Sequence, residues 1–433
     1  MKIRRINTTR DGLDAFIQAA QAELEQIAEQ VAGIGREVTA RGDQAVFEYC
    51  RKFDGAEINA ANFKVSAAEV DRAYTLVDAD FLVALRAAID KIRAFHGRQL
   101  RNSWIQPDGQ GNILGQILRP VERVGIYVPG GSAAYPSSVL MNVIPAQVAG
   151  VNQLVMATPP NAAGEVNPYT LVAAAELGVK EIYKMGGAQA VFALARGTQT
   201  IKKVDLITGP GNIYVTMAKK MVYGEVNIDM LAGPSEILII ADGKADPAYL
   251  AADLMSQAEH DPMARCILVS AEAGLFDRVE AEIKKQIKTL SRWEIITEAL
   301  EKNGAFILTS DLEEACRVAN RLAPEHLELM VEDPFALLSK VKNAGAIFMG
   351  QYTPEPVGDY YAGPNHILPT GGTARFYSPV TVDTFMKASS LLYYSREGIR
   401  DAADHIIKLA TVEGLTAHAN AVRVRKEKAD GNA

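Results

Sequence analysis

Residues 124–158 read VGIYVPGGSAAYPSSVLMNVIPAQVAGVNQLVMAT. A β-rich run at 124–128 is followed by a glycine-rich turn, a helical run at 138–150 and a second β-rich run at 153–158. Short strands separated by a helix predict a βαβ unit, in which both strands lie parallel in one sheet. The stretch therefore predicts an α/β fold.

The same alternation extends toward the C-terminus in two arrays. The first array ends with NIYVTMAKKMV, and the second runs from EILIIAD to AIFMG. Two arrays in series predict two related Rossmann-like domains, each an incomplete doubly wound sheet, with a ligand cleft between them. The segments up to about residue 100 and from Arg396 onward are predicted to be helical, and residues 351–380 to form an ordered functional loop.

The composition excludes several classes of protein. The chain has 433 residues, of which 48% are hydrophobic and 22% charged, as in a soluble enzyme of roughly two to four domains. A net charge of -7 argues against nucleic-acid binding, which needs a cationic surface. The chain lacks a run of about 18 apolar residues, so no membrane span is expected, and the polar start MKIRRINTTRDGLDAF is not typical of a signal peptide. Three dispersed cysteines fit a reducing cytoplasm, where any metal would be held by nitrogen and oxygen ligands.

The six histidines can be weighed one by one. His96 and His405 stand in helical, charged surroundings and are interpreted as structural or solvated. Gln257 and His260 are three residues apart at the predicted end of a helix, so they would share one face and could converge on an ion. A histidine favoured by the helix dipole explains the same pattern without a metal.

Two further motifs place carboxylates beside imidazoles. In LAPEHLE, Pro324 should end a helix and leave Glu325 and His326 on a loop at the start of a strand, as two proton acceptors of different strength. Asp359 and His366 stand in a loop fixed by glycines and prolines. A surface glutamate, a strand-capping histidine and a turn-forming aspartate remain the alternatives.

His418 is the last histidine with a predicted role. Gly414 should break one helix and Thr416 can cap the next, which places His418 in a first helical turn. The helix dipole there favours the neutral imidazole that a metal requires. Together with the amide, imidazole and carboxylate named above, His418 would complete a set of ligands suited to zinc, with manganese or iron as alternatives.

A nucleotide site is indicated by glycine-rich loops. G-x-G-x-x-G is absent, and Gly33-Ile34-Gly35 lies in a helical region and is dismissed. Three other loops follow β-rich runs and precede helices, at 127–132, 186–189 and 209–212. Their backbone amides could approach a pyrophosphate, although they specify no particular nucleotide.

Taken together, these segments resemble the histidinol dehydrogenase family over nearly the whole chain. The segments that carry the resemblance are RVGIYVPGGSAAYPSSVLMNVIPAQVAGV, GPGNIYVTMAKK, IDMLAGPSE, LMSQAEHDP, LAPEHLELMVEDP, VGDYYAGPNHILPTGGTARFYSP and EGLTAHANAVRVR. They follow the order and spacing of the family. The most specific are residues 228–236 and 324–327.

The resemblance implies four sets of site residues. The ligands of one zinc ion per subunit would be Gln257, His260, Asp359 and His418. The catalytic base pair would be Glu325 and His326. The substrate would contact the zinc ligands, His326 and, in addition, Ser235, His366 and Glu413. The residues that contact NAD would be Tyr127, Gln189 and Asn212.

The resemblance also implies an intertwined homodimer with shared active sites, in which the C-terminal segment of one subunit completes the site of the other. The implied parts of the chain are a helical N-terminal extension (1–26), a first α/β domain on the substrate and zinc side (27–126 with 236–376), a second α/β domain on the NAD side (127–235) and a C-terminal tail that docks on the partner subunit (377–433).

The implied reaction is the four-electron oxidation of L-histidinol to L-histidine through L-histidinal, with two NAD⁺ reduced, at the end of histidine biosynthesis. Two other functions remain open at this point. One is a zinc- and NAD-dependent dehydrogenase for another small alcohol, such as a sulfonated diol. The other is a zinc hydrolase, which would leave the three glycine-rich loops without a ligand.

Overall fold

The computed structural model describes residues 2–8, 24–130 and 134–431. These residues form two parallel sheets covered by helices and one small antiparallel sheet. The α/β class predicted from the sequence is confirmed.

The strands are β1 (Arg4–Asn7), β2 (Trp104–Pro107), β3 (Ile113–Pro120), β4 (Arg123–Tyr127), β5 (Gln153–Thr158), β6 (Glu181–Lys184), β7 (Leu206–Thr208), β8 (Asn227–Ile228), β9 (Glu236–Ala241), β10 (Arg265–Ser270), β11 (Ala305–Leu308), β12 (His326–Met330), β13 (Ala346–Met349) and β14 (Met386–Tyr393). The α-helices are α1 (Leu24–Arg41), α2 (Asp43–Asp54), α3 (Ala67–Leu76), α4 (Ala79–Gly97), α5 (Pro136–Ala149), α6 (Pro168–Glu176), α7 (Gly187–Arg196), α8 (Ile213–Val222), α9 (Pro247–Ala258), α10 (Ala273–Gln286), α11 (Trp293–Asn303), α12 (Leu312–Leu322), α13 (Pro334–Leu338), α14 (Glu355–Tyr360), α15 (Arg396–Val412) and α16 (Thr416–Ala429). Short 3-10 turns lie at Ile287–Thr289, Thr373–Arg375 and Val382–Phe385.

The chain divides into two compact units. The larger comprises residues 1–99 and 121–385, and the smaller comprises residues 100–120 and 386–433. Both parallel sheets belong to the larger unit, and the antiparallel sheet belongs to the smaller one.

The two parallel sheets of the larger unit share one strand order. The five-stranded sheet has the order β6-β5-β4-β7-β8, and the six-stranded sheet has the order β1-β11-β10-β9-β12-β13. With β1 set aside and the strands numbered by chain position within each sheet, both orders become 3-2-1-4-5. This is the order of an incomplete doubly wound sheet, which agrees with the prediction of two related halves.

The six-stranded sheet is covered on both faces. Ile237 and Ile239 of β9 belong to a core formed with α9, α10 and α11, whereas Leu238 and Ile240 belong to a core formed with α12. Apolar side chains on both faces of a strand are typical of parallel sheets that are packed between helices.

The N-terminal helices pack on the five-stranded sheet. One core joins Val31 of α1 and Phe63 to Val155 of β5 and Phe192 of α7. A Cβ at Gly35 would lie 2.7 Å from the Phe192 ring, so glycine allows α1 to approach α7 closely. These contacts differ from the predicted grouping of residues 27–126 with residues 236–376. The amphipathic pattern shows that a helix has an apolar face, but it does not show which sheet covers that face.

The predicted helical extension over residues 1–26 is wrong for its described start. Residues Arg4–Asn7 form β1, which pairs in parallel with Ala305–Leu308 of β11. Residues 9–23 of this segment lie outside the described residues. A strand of four residues gives no periodic signal, and its partner is distant in sequence.

The smaller unit is built on a sheet that the sequence did not predict. The order is β14-β3-β2, and the antiparallel register joins Met386 to Pro120 and Tyr393 to Ile113. The helices α15 and α16 follow as predicted, separated by Gly414 with a φ of 74°.

The predicted cap of α16 is wrong. Leu415 occupies the N-cap position without a side-chain hydrogen bond, because Thr416 is already part of the helix. His418 still lies in the first turn, and its side chain is exposed.

Candidate functional site

The amino ends of two neighbouring strands bring the predicted base pair together. The helix α12 ends at Leu322, Ala323 adopts a left-handed φ of 48°, and His326 is the first residue of β12. The predicted position of Glu325 just before a strand is confirmed, whereas His326 is the first residue of the strand and not part of the loop. A left-handed backbone at a residue other than glycine costs energy, and such strain is often found beside functional groups.

The backbone of Glu236, at the start of β9, holds both members of the pair. The N–H of Glu236 donates to Oε2 of Glu325 at 2.8 Å, and Nδ1 of His326 lies 3.0 Å from the backbone oxygen of Glu236. Because a carbonyl oxygen only accepts, the His326 proton is assigned to Nδ1, which leaves a lone pair on Nε2. This Nε2 is buried and has no hydrogen-bond partner among the described residues.

Burial moves the pKa values of the pair in opposite directions. The pKa of His326 is lowered, chiefly because burial penalises the imidazolium ion. The pKa of Glu325 is raised well above its ordinary value, chiefly by burial, and the neighbouring carboxylates of Glu236, Asp359 and Glu355 add to the effect. The pair therefore offers a neutral imidazole and a carboxylate of raised basicity.

A second cluster lies beside the pair. One ligand atom from each of His260, Glu355 and Asp359 can be chosen so that the three lie within 4.8 Å of one another. Asp359 stands on the short helix α14 rather than in the predicted loop. The helix begins there because Pro354 and Pro356 suit a first turn and Oε1 of Glu328 accepts the N–H of Glu355 at 3.0 Å.

Gln257 and His260 are close, but not as two positions on one helical face. The helix α9 ends at Ala258, so His260 lies beyond it, and the predicted shared face is wrong. His260 still lies next to Gln257, with its Nδ1 at 3.3 Å from the backbone oxygen of Gln257. The side-chain oxygen of Gln257 is buried and has no hydrogen-bond partner in the described ranges.

These residues fit a divalent metal ion. They supply an imidazole, two carboxylates and a buried amide oxygen that lacks a hydrogen-bond partner within the described part of the chain. Nitrogen and oxygen donors of this kind suit zinc and related divalent ions. Glu355 was not predicted, because its i,i+4 spacing from Asp359 brings the two carboxylates together only on a helix, and a loop was expected there.

One of the predicted substrate contacts, His366, is adjacent to this cluster, and another, Ser235, lies next to the residue that anchors the base pair. Nδ1 of His366 lies 3.2 Å from the backbone oxygen of Asp359, and burial lowers the pKa of His366 to about 4. Burial also raises the pKa of Asp359 to about 6. Ser235 directly precedes Glu236 at the start of β9.

The remaining two predicted residues of the substrate site belong to the smaller unit. Glu413 follows α15 directly, and His418 lies on α16. Both side chains are exposed.

The predicted NAD contacts lie at the carboxyl ends of the five-stranded sheet. Tyr127 ends β4, and its hydroxyl accepts the N–H of Gly187 at 3.0 Å. Gly209 follows the neighbouring strand β7 with a φ of 120°. A Cβ at this position would lie 1.9 Å from the backbone oxygen of Tyr127. The order of the sheet reverses between these two strands, which is where doubly wound sheets bind ligands.

A buried ion pair holds the loop that begins at Gly209. Lys219 and Asp229 form a salt bridge, and both side chains are buried. Nζ of Lys219 donates to the Gly209 oxygen at 3.0 Å, and Oδ2 of Asp229 accepts the Gly209 N–H at 2.8 Å. Both residues lie within the motifs quoted from the sequence, where no role was predicted for them.

The other two predicted NAD contacts line one cavity. Oδ1 of Asn212 caps α8 by accepting the N–H groups of Tyr214 and Val215. Gln189, on α7, is 1% exposed. Both residues line a cavity of about 850 Å³.

A glycine motif that was dismissed as a nucleotide site contributes to this cavity. Gly33 and Ile34 line the same cavity, although this segment was dismissed because it is helical. They contribute as part of a helix wall and not as a phosphate-binding loop. Gly131 and Ser132, from the loop at 127–132, lie outside the described residues.

Comparison with known proteins identifies the family. The sequence model described as histidinol dehydrogenase matches residues 17–426. A histidinol dehydrogenase of Heliobacterium mobile is 60% identical over 98% of this chain and 100% of its own length. The chain belongs to the histidinol dehydrogenase family. A histidinol dehydrogenase of Carboxydothermus hydrogenoformans is 56% identical over 95% of this chain and 97% of its own length.

The family also has a matching solved structure. The crystal structure of histidinol dehydrogenase from Elizabethkingia anophelis is 37% identical and covers 99% of both chains, with a TM-score of 0.93. The family resemblance predicted from the sequence is thus confirmed, and the chain is a dehydrogenase of this family. None of the helices in the described ranges has both the length and the apolar composition needed to cross a bilayer.

Proposed function

We propose that this protein oxidises L-histidinol to L-histidine through L-histidinal and reduces two NAD⁺ per substrate. The observation that carries the proposal concerns Nε2 of the buried His326. This atom has no hydrogen-bond partner among the described residues and lies 3.9 Å from Oδ1 of Asp359. A neutral base beside a metal-binding carboxylate suits a substrate that combines an alcohol with metal-binding nitrogens.

Zinc would be held by Gln257, His260 and Asp359 together with the partner subunit's His418, with the Glu355 carboxylate of the same cluster beside them. Bound there, the ion would supply a positive charge that fixes the imidazole and amino nitrogens of the substrate, while NAD⁺ would accept a hydride in each oxidation. The buried amide oxygen of Gln257 supports this assignment, because a buried acceptor without a partner costs free energy that a ligand can recover.

His326 is the base of the first oxidation. Its Nδ1 donates to the Glu236 oxygen, so the ring is held in one tautomer with Nε2 free to take the alcohol proton. The lowered pKa keeps this imidazole neutral before the reaction. The neutral His366 and Ser235 would orient the substrate beside it.

Glu325 is the base of the second stage. Its Oε2 is fixed by the Glu236 N–H at 2.8 Å, and its raised pKa makes it a stronger proton acceptor than an ordinary carboxylate. It would take a proton from the water that adds to the aldehyde. Because the Glu236 backbone holds both Glu325 and His326, the two bases lie side by side and can act in turn on one bound substrate.

The site would be completed in an intertwined homodimer, with one zinc per subunit. Glu413 and His418 of the C-terminal segment would act in the partner's site. The exposure of both side chains is consistent with this arrangement. The cytoplasmic location stays a prediction from composition.

Product yield tests the proposal directly. Purified protein with zinc and excess NAD⁺ should form two NADH for every L-histidinol consumed, with L-histidine as the product. Dihydroxypropanesulfonate under the same conditions should give little NADH. Preference for the sulfonated diol would contradict the proposed substrate, and product formation without any nicotinamide cofactor would indicate a hydrolase.

A further inference from the structure

The cavity that Gln189 lines has one wall formed by residues outside the predicted NAD contacts. It lies between the N-terminal ends of α7 and α8 on one side and the helices α1 and α2 on the other. Its volume of about 850 Å³ is within the range of roughly 300 to 1,000 Å³ that is typical of small-molecule sites. Gly187, Gln189 and Asn212 line the first side, and the second side carries cationic and aromatic side chains.

The first side has unused hydrogen-bonding groups. Gln189 is 1% exposed, and neither its Oε1 nor its Nε2 has a hydrogen-bond partner within the described residues. A buried amide without hydrogen bonds costs free energy, so a ligand that forms hydrogen bonds with it gains affinity. The helix α7 starts at Gly187, and its N-cap residue Gly186 supplies no side-chain hydrogen bond. The Tyr127 hydroxyl accepts the Gly187 N–H, and the N-terminus otherwise has no side-chain cap, which suits it to phosphate.

The second side carries two cations and one carboxylate, Glu37, in a protein whose net charge is -7. Arg36 of α1 and Lys52 of α2 both line the cavity and are exposed. A guanidinium of Arg36 lies 3.3 Å from Glu29, an exposed contact that a better anion could replace. Nζ of Lys52 lies 5.3 Å from the centre of the Phe53 ring.

Two aromatic rings stand on the same wall. The rings of Tyr49 and Phe53 are stacked, with centroids 5.5 Å apart and planes inclined by 6°. Both line the cavity, and Phe53 is 53% exposed. An exposed aromatic face stabilises a nucleobase by stacking.

We propose that the wall formed by α1 and α2 binds the adenosine diphosphate part of NAD⁺. Arg36 and Lys52 neutralise its phosphates, and the stacked pair of Tyr49 and Phe53 contacts its adenine. This inference rests on the proposed NAD dependence. It gives the N-terminal helices a role in cofactor recognition beyond the contacts of Tyr127, Gln189 and Asn212.

Calorimetric titration with NAD⁺ and with ADP tests the two cations. The double variant Arg36→Gln/Lys52→Gln should bind both ligands about ten-fold more weakly, since charge-assisted contacts to phosphate are lost. The KM for L-histidinol should not rise. The matched control is Arg278→Gln/Lys288→Gln, which removes two exposed cations from the region of α10 and the 3-10 turn that follows it. This control should bind both nucleotides as the wild type does.

A cavity-filling variant gives an independent readout. A Cβ at Gly33 meets only the end of Arg36, at 3.9 Å, so Gly33→Leu has room at its base and extends into the cavity. Leucine is a better helix former than glycine, so the melting temperature should not fall. The Kd for NAD⁺ should rise at least about ten-fold, because the side chain occupies ligand space.

The outcomes separate this inference from the proposed function. If the wild type binds NAD⁺ and both the charge variant and Gly33→Leu bind it equally well, the wall has no role and the inference is wrong while NAD dependence stands. If ADP does not bind to the wild type, or binds to the charge variant unchanged, the assignment to the adenosine diphosphate part is wrong. Failure of the wild type to bind NAD⁺ at all would contradict both proposals.

Discussion

Nε2 of His326 lies 3.9 Å from Oδ1 of Asp359. The separation exceeds hydrogen-bonding distance, so the carboxylate does not occupy the lone pair of the imidazole. The proposed proton acceptor and the proposed metal-binding carboxylate therefore lie side by side without a hydrogen bond between them. A substrate held by a metal at Asp359 would have its alcohol within reach of His326.

Replacing His326 should separate catalysis from metal binding. His326→Phe keeps a ring of similar size but removes the proton acceptor, so kcat should fall at least about 100-fold. Metal content, measured by mass spectrometry of the dialysed protein, should stay at the wild-type level. His405→Phe, at an exposed histidine of α15, is the control and should keep its activity. Loss of the metal from His326→Phe would show that His326 is a ligand.

A buried acid pair should make stability depend on pH. The buried carboxyl groups of Asp253 on α9 and Glu328 on β12 interact, and burial raises the pKa of Asp253 to about 7 and that of Glu328 well above its usual value. Both folded-state pKa values are raised. The stabilising contribution is therefore complete below about pH 4, where these acids are protonated in both states, and is lost as the pH rises through about 7.

Asp253→Asn should remove much of this loss, because an amide does not ionise. Between pH 5 and pH 8 the wild type should lose free energy of unfolding on the order of 2 to 4 kcal/mol more than the variant does. Urea unfolding at the two pH values measures the difference. The exposed Asp71→Asn is the control, and a variant at Asp253 with the same pH dependence as this control would refute the assignment.

Local signals in the sequence predicted several elements correctly. Ser66 and Glu69 form a capping box at the start of α3, a pattern that the sequence alone can show because both partners lie within one turn. Pro324 placed Glu325 and His326 at a strand start, since proline restricts the residue before it. The glycine-rich loops before α7 and α8 also lie at strand ends, where the alternating pattern placed them.

Features set by distant contacts could not be read in the same way. The pairing of β14 with β3 joins two segments that residues 121–385 separate in the sequence. The periodicity of one segment does not show that it pairs with the other. Glu355 enters the metal cluster only because α14 is a helix there, which spacing alone did not reveal. The cavity wall at Gly33 depends on which sheet α1 covers.

The loop at Gly209 should tolerate no side chain. Gly209 has a φ of 120°, and Gly209→Ala would place a Cβ 1.9 Å from the backbone oxygen of Tyr127. The backbone that Lys219 and Asp229 hold must therefore shift. We expect the Kd for NAD⁺ to rise about ten-fold, with a stability loss of about 1–3 kcal/mol.

The matched control for this loop is Gly274→Ala on α10, where a Cβ meets no atom within 4 Å. Calorimetric titration with NAD⁺ and thermal unfolding would compare the two variants. Equal behaviour of both in both measurements would show that the Gly209 conformation has no bearing on the nucleotide site.

Mixed dimers should reveal whether the site is shared. Gln257→Ala and His418→Ala should each be inactive alone, because each removes one metal ligand from every site. If the two ligands of one site come from different subunits, a heterodimer contains one intact site. Random mixing after unfolding and refolding should then restore about a quarter of the wild-type activity. Mixtures that remain inactive, although each subunit refolds, would place both ligands in one chain.

The proposed function requires that Gln257, His260 and Asp359 hold one divalent cation beside Glu325 and His326. Anomalous scattering at the zinc edge, from crystals of the zinc-loaded protein with L-histidinol, locates this ion. One peak per subunit is expected, at about 2.0 to 2.2 Å from donor atoms of all three residues. A peak bound elsewhere, or no peak near these residues in a protein that is active with L-histidinol, would contradict it.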